Sequence, residues 1–184
     1  MLTAIVLAAV AGVLLLFLVY TYNRLVRLRN EAKTGWANID VQLRRRFDLV
    51  PNLVETVKGY AEHERETFES VTNARAAAQQ AAGPAAAAQA DTVLGGALNR
   101  LLAVSEAYPQ LRASENFLAL QQELADIEDK LAAARRYYNQ TVYRYNTVIQ
   151  SFPAVIVAGA LRFHQREFFE TDTRDPVAVT FAQP

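Results

Sequence analysis

The sequence contains no cysteine, which excludes disulfides, thiol catalysis, cysteine-bound zinc and lipid attachment at a cysteine. Glycine and proline are sparse, with 7 and 6 residues in 184, so few breakers interrupt the helices that abundant alanine favours. The 19 basic and 19 acidic side chains cancel, leaving no net charge to attract nucleic acid or acidic substrates. The length suits one domain with an appendage. These features favour a helical protein and give no sign of its chemistry.

What the sequence does have is an uncharged, strongly apolar N-terminus, LTAIVLAAVAGVLLLFLVY, within residues 1–23. A transmembrane helix needs about 20 apolar residues, and this stretch supplies nearly that number. A cleaved signal peptide would instead carry positive charge before the apolar run and small residues before a cleavage site. Here the charge follows the run, so we predict a retained membrane anchor. Ala4, Ala8 and Gly12, at four-residue steps, would let two such helices approach closely.

Basic residues flank the predicted anchor only on its C-terminal side. Segments rich in lysine and arginine stay in the cytoplasm, so we expect the N-terminus outside and the C-terminal domain in the cytoplasm. The same side chains attract anionic lipid when they lie near the membrane surface. The membrane-flanking residues are Arg24, Arg27, Arg29 and Lys33.

The clearest periodicity runs from Phe117 to Phe152, where apolar residues recur three and four apart without a slip. Such a seam over about five heptads predicts one long helix with coiled-coil-like packing. Ser114 is a suitable N-cap for it. The members of the seam are Phe117, Leu120, Leu124, Ile127, Leu131, Ala134, Tyr138, Thr141, Tyr145, Val148 and Phe152.

A second apolar stripe continues from the anchor and predicts one helix as far as about Ala82. Its spacing includes extra steps of four, which departs from a strict heptad. Gly83-Pro84 and Tyr108-Pro109 are stop signals, and they bound a further helix from about Ala85 to Ala107. The stripe consists of Leu25, Leu28, Ala32, Trp36, Ile39, Leu43, Phe47, Val50, Val54, Val57, Ala61, Phe68 and Val71.

Pro51 stands inside this stripe, in RRRFDLVPNLV, and has two interpretations. Asp48 could cap a new helix whose first turn contains Pro51, where a proline needs no donor. Alternatively one helix bends at Pro51, and water or a side chain such as Asn52 satisfies the carbonyl that the proline frees near Phe47. The apolar spacing continues through the proline and favours the bend. The basic residues 44–46 are then expected to be solvated or to face a partner.

Short connections between these helices predict antiparallel neighbours. The fold class is therefore all-α: an N-terminal transmembrane helix that continues into an elongated antiparallel helical bundle with coiled-coil-like packing. We divide the chain into an anchor (1–23), a bundle (24–152) and an apolar, aromatic tail (153–184). The tail could cap the bundle, lie against a membrane or contact another subunit, and its final PVAVTFAQP is the only stretch that looks extended.

No arrangement of residues indicates catalysis or a cofactor. His63-Glu64 begins like a zinc protease motif, but Thr67 stands where the second histidine is needed. Neither His63 nor His164 has the preceding glutamate of a di-iron bundle. The acidic run from Glu123 to Asp129 lacks the pattern of a calcium loop and suits a solvated helix face. We therefore expect no catalytic residue, no metal site, no cofactor and no nucleic-acid binding.

Three stretches together resemble the LemA family. They are YNRLVRLRNEAKTGWANIDVQLRRRFDLVPNLVETVKGYAEHERETFESVTNAR, then ENFLALQQELADIEDKLAAARRYYNQTVYRYNTVIQSFP, and the REFFE that follows. The resemblance implies a membrane-anchored antiparallel helical bundle with a short N-terminus outside, and it implies no activity. We therefore expect a single-pass protein of the bacterial cell (inner) membrane.

Two functions are consistent with these observations. The first is a non-enzymatic membrane-anchored scaffold that self-associates into a homo-oligomer or docks a membrane protein partner. The second is a membrane-remodelling or envelope-stress protein that assembles on the lipid bilayer, using the basic flank and the tail near Val155–Leu161. An enzyme or metal protein, the third class considered, has no motif in its favour.

Overall fold

The computed structural model describes residues 1–170 and, within them, six α-helices and no β-strand. The all-α prediction is confirmed, including the long helix that continues from the apolar N-terminus into the rest of the chain. The PVAVTFAQP stretch, predicted as extended, lies outside the described residues. In chain order the helices are α1 (Leu2–Lys58), α2 (Arg65–Gln80), α3 (Pro84–Glu106), α4 (Pro109–Arg112), α5 (Glu115–Gln150) and α6 (Ala154–Ala160).

The chain divides into two compact units. The first unit combines Met1–Leu49 with Ala119–Phe168, and the second combines Val50–Leu118 with the described residues after Phe168. Helices α1 and α5 each contribute one part to each unit. The domain boundaries drawn from the sequence remain a prediction: 1–23, 24–152 and 153–184.

Within the first unit, α1 and α5 run antiparallel. A carboxylate oxygen of Glu31 lies 3.9 Å from a guanidinium nitrogen of Arg144, and further along α1 Arg46 lies 2.6 Å from Glu128. Residue numbers that rise along α1 therefore meet numbers that fall along α5. The antiparallel packing predicted from the sequence is confirmed for this pair of helices.

Gly35 allows α1 and α5 to approach closely. A Cβ atom on Gly35 would stand 3.3 Å from the Cα of Tyr138 and 3.3 Å from the Tyr137 ring. These distances are shorter than ordinary van der Waals contact, so a side chain there would push the two backbones apart. Beside this crossing the Trp36 and Tyr138 rings pack with their centroids 6.0 Å apart and their planes tilted by 55°.

The predicted seam of α5 is buried along most of its length, but it ends earlier than expected. Phe152 lies beyond the end of the helix at Gln150, and 82% of its surface is exposed. The following Pro153 disfavours a helical conformation at Phe152, so the last predicted member of the seam is wrong. Ala134 is half-buried, and coiled-coil packing stays a prediction. The buried members are Phe117, Leu120, Leu124, Ile127, Leu131, Tyr138, Thr141, Tyr145 and Val148.

Two residues that are not apolar add to the stripe predicted for α1. Gly35 and Arg46 are buried, so buried positions run 25, 28, 32, 35, 39, 43 and 46 and still include two successive steps of four, from 35 to 43. The sequence missed these two positions because only apolar residues mark a stripe. Arg46 was expected to be solvated or to face a partner. That is wrong, since Arg46 is 4% exposed and paired with Glu128.

Helix α1 continues through Pro51 without interruption. The interpretation in which Asp48 caps a separate helix is therefore wrong, because Asp48 and Asn52 both lie inside α1. Proline cannot donate to the carbonyl four residues earlier, and this gap in the ladder is the usual origin of a bend. The bend itself stays a prediction.

Helix α1 ends at Lys58, and turns occupy residues 59–64 before α2 begins at Arg65. The single helix predicted to about Ala82 is wrong in this respect. Gly59 costs about 1 kcal/mol relative to alanine in a helix interior, and charged residues interrupt the apolar stripe just after it. The helix therefore loses both its intrinsic preference and its buried face at the same place.

The second unit contains α2, α3, α4 and the adjoining parts of α1 and α5. Helix α3 packs on both α2 and α4. Gly83, with φ of 86°, makes the turn that precedes α3, and Pro84 occupies the first helical turn, where no donor is missed. The Asn116 amide donates to the Thr56 hydroxyl at 3.3 Å, which joins the start of α5 to the end of α1.

Candidate functional site at the anchor end of the first unit

Helix α1 begins with an apolar stretch that the described residues do not cover. An 18-residue window near the N-terminus is long and apolar enough to cross a membrane, and none of it is buried. Exposing apolar surface to water costs roughly 25 cal/mol per Å², so a stretch of this size needs a cover. The helix therefore indicates membrane anchoring, in agreement with the sequence.

The tail packs onto the end of the first unit where the anchor joins it. Helix α6 contributes Ala158, and the segment after it contributes Phe163, to a core with residues of α1 and α5. The tail up to Phe168 is thus part of this unit, and some of its apolar residues cover the end of the unit. The buried members of this core are Leu25, Leu28, Tyr145, Val148, Ile149, Ala158 and Phe163.

Phe163 is the main contact between the tail and the basic flank of the anchor. Its ring lies edge-on to Tyr22, with centroids 6.2 Å apart, and the Arg29 guanidinium lies 5.4 Å from its centroid. Such a cation–π contact stabilises by about 0.5–1 kcal/mol or more when partly desolvated. The Phe163 amide donates to the Ala158 carbonyl at 2.9 Å, and Arg162 makes the turn with φ of 55°. Arg29 is therefore held against the tail.

Side chains of α5 hold the backbone of the tail. The Asn146 amide nitrogen donates to the Arg166 carbonyl at 2.9 Å, and the Arg166 amide donates to the Asn146 side-chain oxygen at 2.9 Å. The Tyr138 hydroxyl donates to the Glu167 carbonyl at 2.8 Å. This part of the tail has no helix or strand of its own, so α5 supplies partners that a backbone ladder otherwise would.

Two tyrosines in this region have raised pKa values. Burial raises the pKa of the Tyr138 hydroxyl; the Arg166 guanidinium opposes the shift and the Glu167 carboxylate adds to it. Burial also raises the pKa of Tyr145, against the opposing charges of Arg166 and Arg29. Both phenols therefore remain protonated at neutral pH, and Tyr138 keeps the proton that it donates to Glu167.

On the other flank of α1 an open groove of about 390 Å³ lies between α1 and α5. Arg24 and Arg27 come from α1, and Arg144 comes from α5, where it lies 3.9 Å from Glu31. Leu28 is buried and, with Val148, gives the groove its apolar part. The lining residues are Tyr20, Asn23, Arg24, Arg27, Leu28, Glu31, Tyr143, Arg144, Thr147 and Val148.

The outer face of the tail is apolar and exposed. Helix α6 buries Val157 and Ala158 and half-buries Ala154 against the core, whereas Val155 and Ile156 are exposed. With Phe152 before it and Leu161 after it, this face forms a patch beside the anchor. The exposed fractions are 82% for Phe152, 41% for Val155, 63% for Ile156 and 46% for Leu161.

Comparison with known proteins assigns the chain to a family. A model of the LemA family matches residues 35–181, which is most of the sequence. This chain belongs to the LemA family. The resemblance drawn from the three sequence stretches is thereby confirmed.

Three relatives are similar to this LemA family chain over most of its length. Magnetosome protein MamQ of Magnetospirillum gryphiswaldense strain MSR-1 is 27% identical over 92% of this chain and 71% of that protein. Magnetosome protein MamQ 2 of Paramagnetospirillum magneticum strain AMB-1 is 26% identical over 83% of this chain and 66% of that protein. Protein LemA of Metamycoplasma hominis is 27% identical over 85% of this chain and 72% of that protein. The chain therefore spans about two thirds of the MamQ proteins.

Family membership and the uncovered apolar helix together indicate a membrane-associated helical protein. The family match begins at residue 35, so the anchor itself is inferred from α1. Neither the family name nor the names of these relatives is that of an enzyme. Within residues 1–170 no three His, Cys, Asp or Glu side chains gather into a set that could hold a metal ion, and His63 and His164 are both exposed.

The structure separates the four basic residues that the sequence grouped as a membrane flank. Arg24 and Arg27 line the groove, Arg29 covers Phe163, and Lys33 is exposed further along α1. Sequence reasoning missed the α5 side of this region, and Asn146 above all. No local pattern in a sequence pairs residues that are 20 positions apart, as Asn146 and Arg166 are. The one available signal for their contact was that both lie in stretches that resemble the LemA family.

Proposed function

We propose that this LemA family protein is a non-enzymatic, membrane-anchored helical scaffold that self-associates or docks a membrane protein partner. One observation supports this most directly: α1 is a single helix from the apolar stretch to Lys58. At 1.5 Å per residue the part of α1 in the first unit, residues 2–49, extends about 70 Å. Because α5 packs along this part of α1, contact at the anchor is transmitted to the first unit without a flexible linker.

The anchor offers a surface for self-association. Ala4, Ala8 and Gly12 share one side of α1, and no other part of the described chain comes within 4 Å of a Cβ built on Gly12. Small residues at this spacing allow close packing of two transmembrane helices. The proposed scaffold role therefore predicts a homo-oligomer that forms at least partly through contacts between anchors. It also allows the chain to dock a membrane protein.

The topology that we propose is single-pass in a bacterial inner membrane, with the N-terminus outside and the folded part in the cytoplasm. The support is the position of Arg24, Arg27, Arg29 and Lys33, all on one side of the apolar stretch. Protease added to intact cells should spare the C-terminus, whereas protease added to inverted membrane vesicles should remove it. Cleavage in intact cells would contradict the orientation.

The scaffold proposal is tested by crosslinking the full-length protein in cells, purifying it and identifying the proteins crosslinked to it. We expect copies of the chain or a membrane protein, and an oligomer by native mass spectrometry after extraction in detergent. Gly12→Leu should weaken the oligomer, because the bulky side chain separates the anchors, whereas the matched change Val13→Leu should not. A strict monomer at micromolar concentration that carries no crosslinked partner would refute the proposal.

The second candidate is a membrane-remodelling or envelope-stress protein that assembles on the bilayer. It is favoured by the exposed apolar face of α6, which lies beside the anchor because Ala158 packs with Leu25. A chain lacking residues 1–23 should then float with anionic vesicles at low salt. Ile156→Ser should weaken flotation more than Val41→Ser, another exposed apolar residue of the first unit. Absence of flotation would exclude this candidate.

A further inference from the structure

The groove between α1 and α5 lies where a lipid headgroup would be. Tyr20, at one end, belongs to the uncharged N-terminal stretch, and Arg24 is the first charged residue after it. Glu31, at the other end, lies seven residues beyond Arg24, or about 10 Å along the helix. If α1 crosses a membrane, the groove therefore spans the depth from the end of the apolar core into the headgroup layer.

The charge of the groove suits an anion. It contains three arginines, Arg24, Arg27 and Arg144, against the single carboxylate of Glu31. Glu31 approaches Arg144 only to 3.9 Å, and within the described residues no carboxylate lies within 4.0 Å of Arg24 or Arg27. Guanidinium groups bind phosphate oxygens through paired N–H donors, which makes them the preferred side chain for this ligand.

The remaining lining fits the rest of a phospholipid. The hydroxyls of Tyr20 and Tyr143 and the amide of Asn23 provide neutral hydrogen-bonding groups beside the arginines. Leu28 and Val148 also line the groove, but both are buried in the core of the unit, so the polar side chains carry the recognition. Tyr20 is 63% exposed and belongs to the apolar stretch at the membrane end of the groove, which is where the acyl chains of a bound phospholipid would begin and where a free phosphate would have no counterpart.

The tail leaves this groove open. Phe163 and Arg29 cover the opposite flank of α1, because Tyr22 and Arg29 lie on one side of the buried stripe and Arg24 and Arg27 on the other. We propose that the groove binds the phosphate-bearing headgroup of an anionic phospholipid in the leaflet next to residue 24. This inference rests on the membrane anchor of the proposed function, but it requires neither self-association nor a protein partner.

The test uses the full-length protein in detergent, with phosphatidylglycerol added at defined concentration and retention measured by native mass spectrometry. We expect retention of phosphatidylglycerol at least about tenfold above phosphatidylcholine, whose choline offsets the phosphate charge. The double variant Arg24→Gln, Arg27→Gln should lose about tenfold in affinity. Glu31→Gln, which removes the one carboxylate, should raise the affinity.

A matched control carries the same loss of charge on the same helix. Arg44 and Arg45 are exposed and lie at least 17 residues beyond Arg24 and Arg27, about 26 Å or more along α1. The double variant Arg44→Gln, Arg45→Gln should retain phosphatidylglycerol at the wild-type level. If both double variants lose affinity equally, the effect is one of overall charge and the proposal is wrong.

Two further arms make the result decisive. Replacing Arg24 and Arg27 by lysine keeps the charge but removes the paired donors, so this variant should fall between the wild type and the glutamine variant, and it also controls for loss of folding. A phosphatidylglycerol with a photoreactive headgroup should label the peptide that contains Tyr143 and Thr147. Labelling elsewhere, or release of the lipid by millimolar inorganic phosphate, would overturn the proposal. A monomer that passes these tests would refute self-association through the anchors while supporting the lipid site.

Discussion

The attachment of the tail to α5 can be tested by a single substitution, Asn146→Ala. Asn146 is 8% exposed and exchanges two hydrogen bonds with the backbone of Arg166, in a segment that has no regular structure. The substitution removes both bonds without adding volume. It therefore isolates the polar attachment of the tail from the apolar packing of Phe163 and α6.

The expected size of the effect follows from those two bonds. Each contributes about 1 kcal/mol, and leaving the half-buried Arg166 amide without its acceptor costs about 1 kcal/mol more. Alanine recovers about 0.6 kcal/mol of helix propensity within α5. The attachment should thus weaken by about 2 kcal/mol, which raises the equilibrium constant for local opening roughly 30-fold.

Limited trypsin digestion of the full-length protein in detergent measures this opening. When opening and closing are faster than cleavage, the rate of cutting after Arg166 is proportional to the open population. We expect the Arg166–Glu167 bond of the Asn146→Ala variant to be cut about 30 times faster than in the wild type. Hydrogen exchange at the Arg166 amide, which loses its acceptor, should rise as well, whereas the Phe163 amide keeps its acceptor on Ala158 and should exchange at the wild-type rate.

The matched control is Gln140→Ala, which removes an exposed side-chain amide from the same helix and should leave the cleavage rate unchanged. Asn146→Asp keeps the acceptor for the Arg166 amide but places a carboxylate oxygen against the Arg166 carbonyl. Its cleavage rate should therefore also exceed that of the wild type. If Asn146→Ala is cut no faster than the control, the two hydrogen bonds do not hold the tail and the reasoning fails.

Three more predictions concern the packing of the first unit and one glycine outside it. The pKa of Tyr138 is raised above its ordinary value of about 10 in the folded protein. The unfolding free energy should therefore be constant below about pH 10 and decrease above it, as the unfolded chain loses this proton first. In urea titrations followed by circular dichroism, Tyr138→Phe should make that decrease shallower. Gly96→Ala should stabilise α3 by up to about 1 kcal/mol and slow its hydrogen exchange, because no atom lies within 4 Å of the new Cβ. Gly35→Ala should instead speed hydrogen exchange in α5, because the new Cβ would stand 3.3 Å from the Cα of Tyr138. Glu128→Gln should lower the unfolding free energy by about 2 kcal/mol, because it leaves the buried Arg46 charge without this carboxylate. Arg46→Met should lower it by less, because methionine removes the buried charge and leaves a Glu128 carboxylate that is 40% exposed and can be hydrated. Equal losses in the two variants would contradict this assignment.

The parts of the fold that the sequence predicted are those with a repeated local signal. The apolar N-terminus and the seam from Phe117 to Val148 repeat the same choice many times, so single exceptions do not hide the pattern. The break after Lys58 was missed because one glycine and two charged residues are weak signals, and tertiary packing decides whether a helix crosses them. Gly35 and Arg46 were missed because a stripe identified by apolar residues cannot include a buried glycine or a paired arginine.

The contacts of the candidate site could not be predicted because they join residues that are distant in sequence. Asn146 and Arg166 are 20 apart, and Arg144 meets α1 more than a hundred positions away. A sequence shows that each of these residues is polar, but the partner depends on the register between α1 and α5. Once Gly35 against Tyr138 sets that register, the positions of the other pairs follow from helical geometry.

The basic flank illustrates what that register adds to the function. For the orientation of the anchor, Arg24, Arg27, Arg29 and Lys33 act as four equal charges, because only the number of charges on one side of the span matters. Lipid recognition depends instead on where each guanidinium lies. Arg29 is engaged with Phe163, whereas Arg24 and Arg27 share a groove with an arginine from α5. Removing Arg29 should therefore loosen the tail and leave the groove, and removing Arg24 should do the reverse, although the two changes are identical in charge.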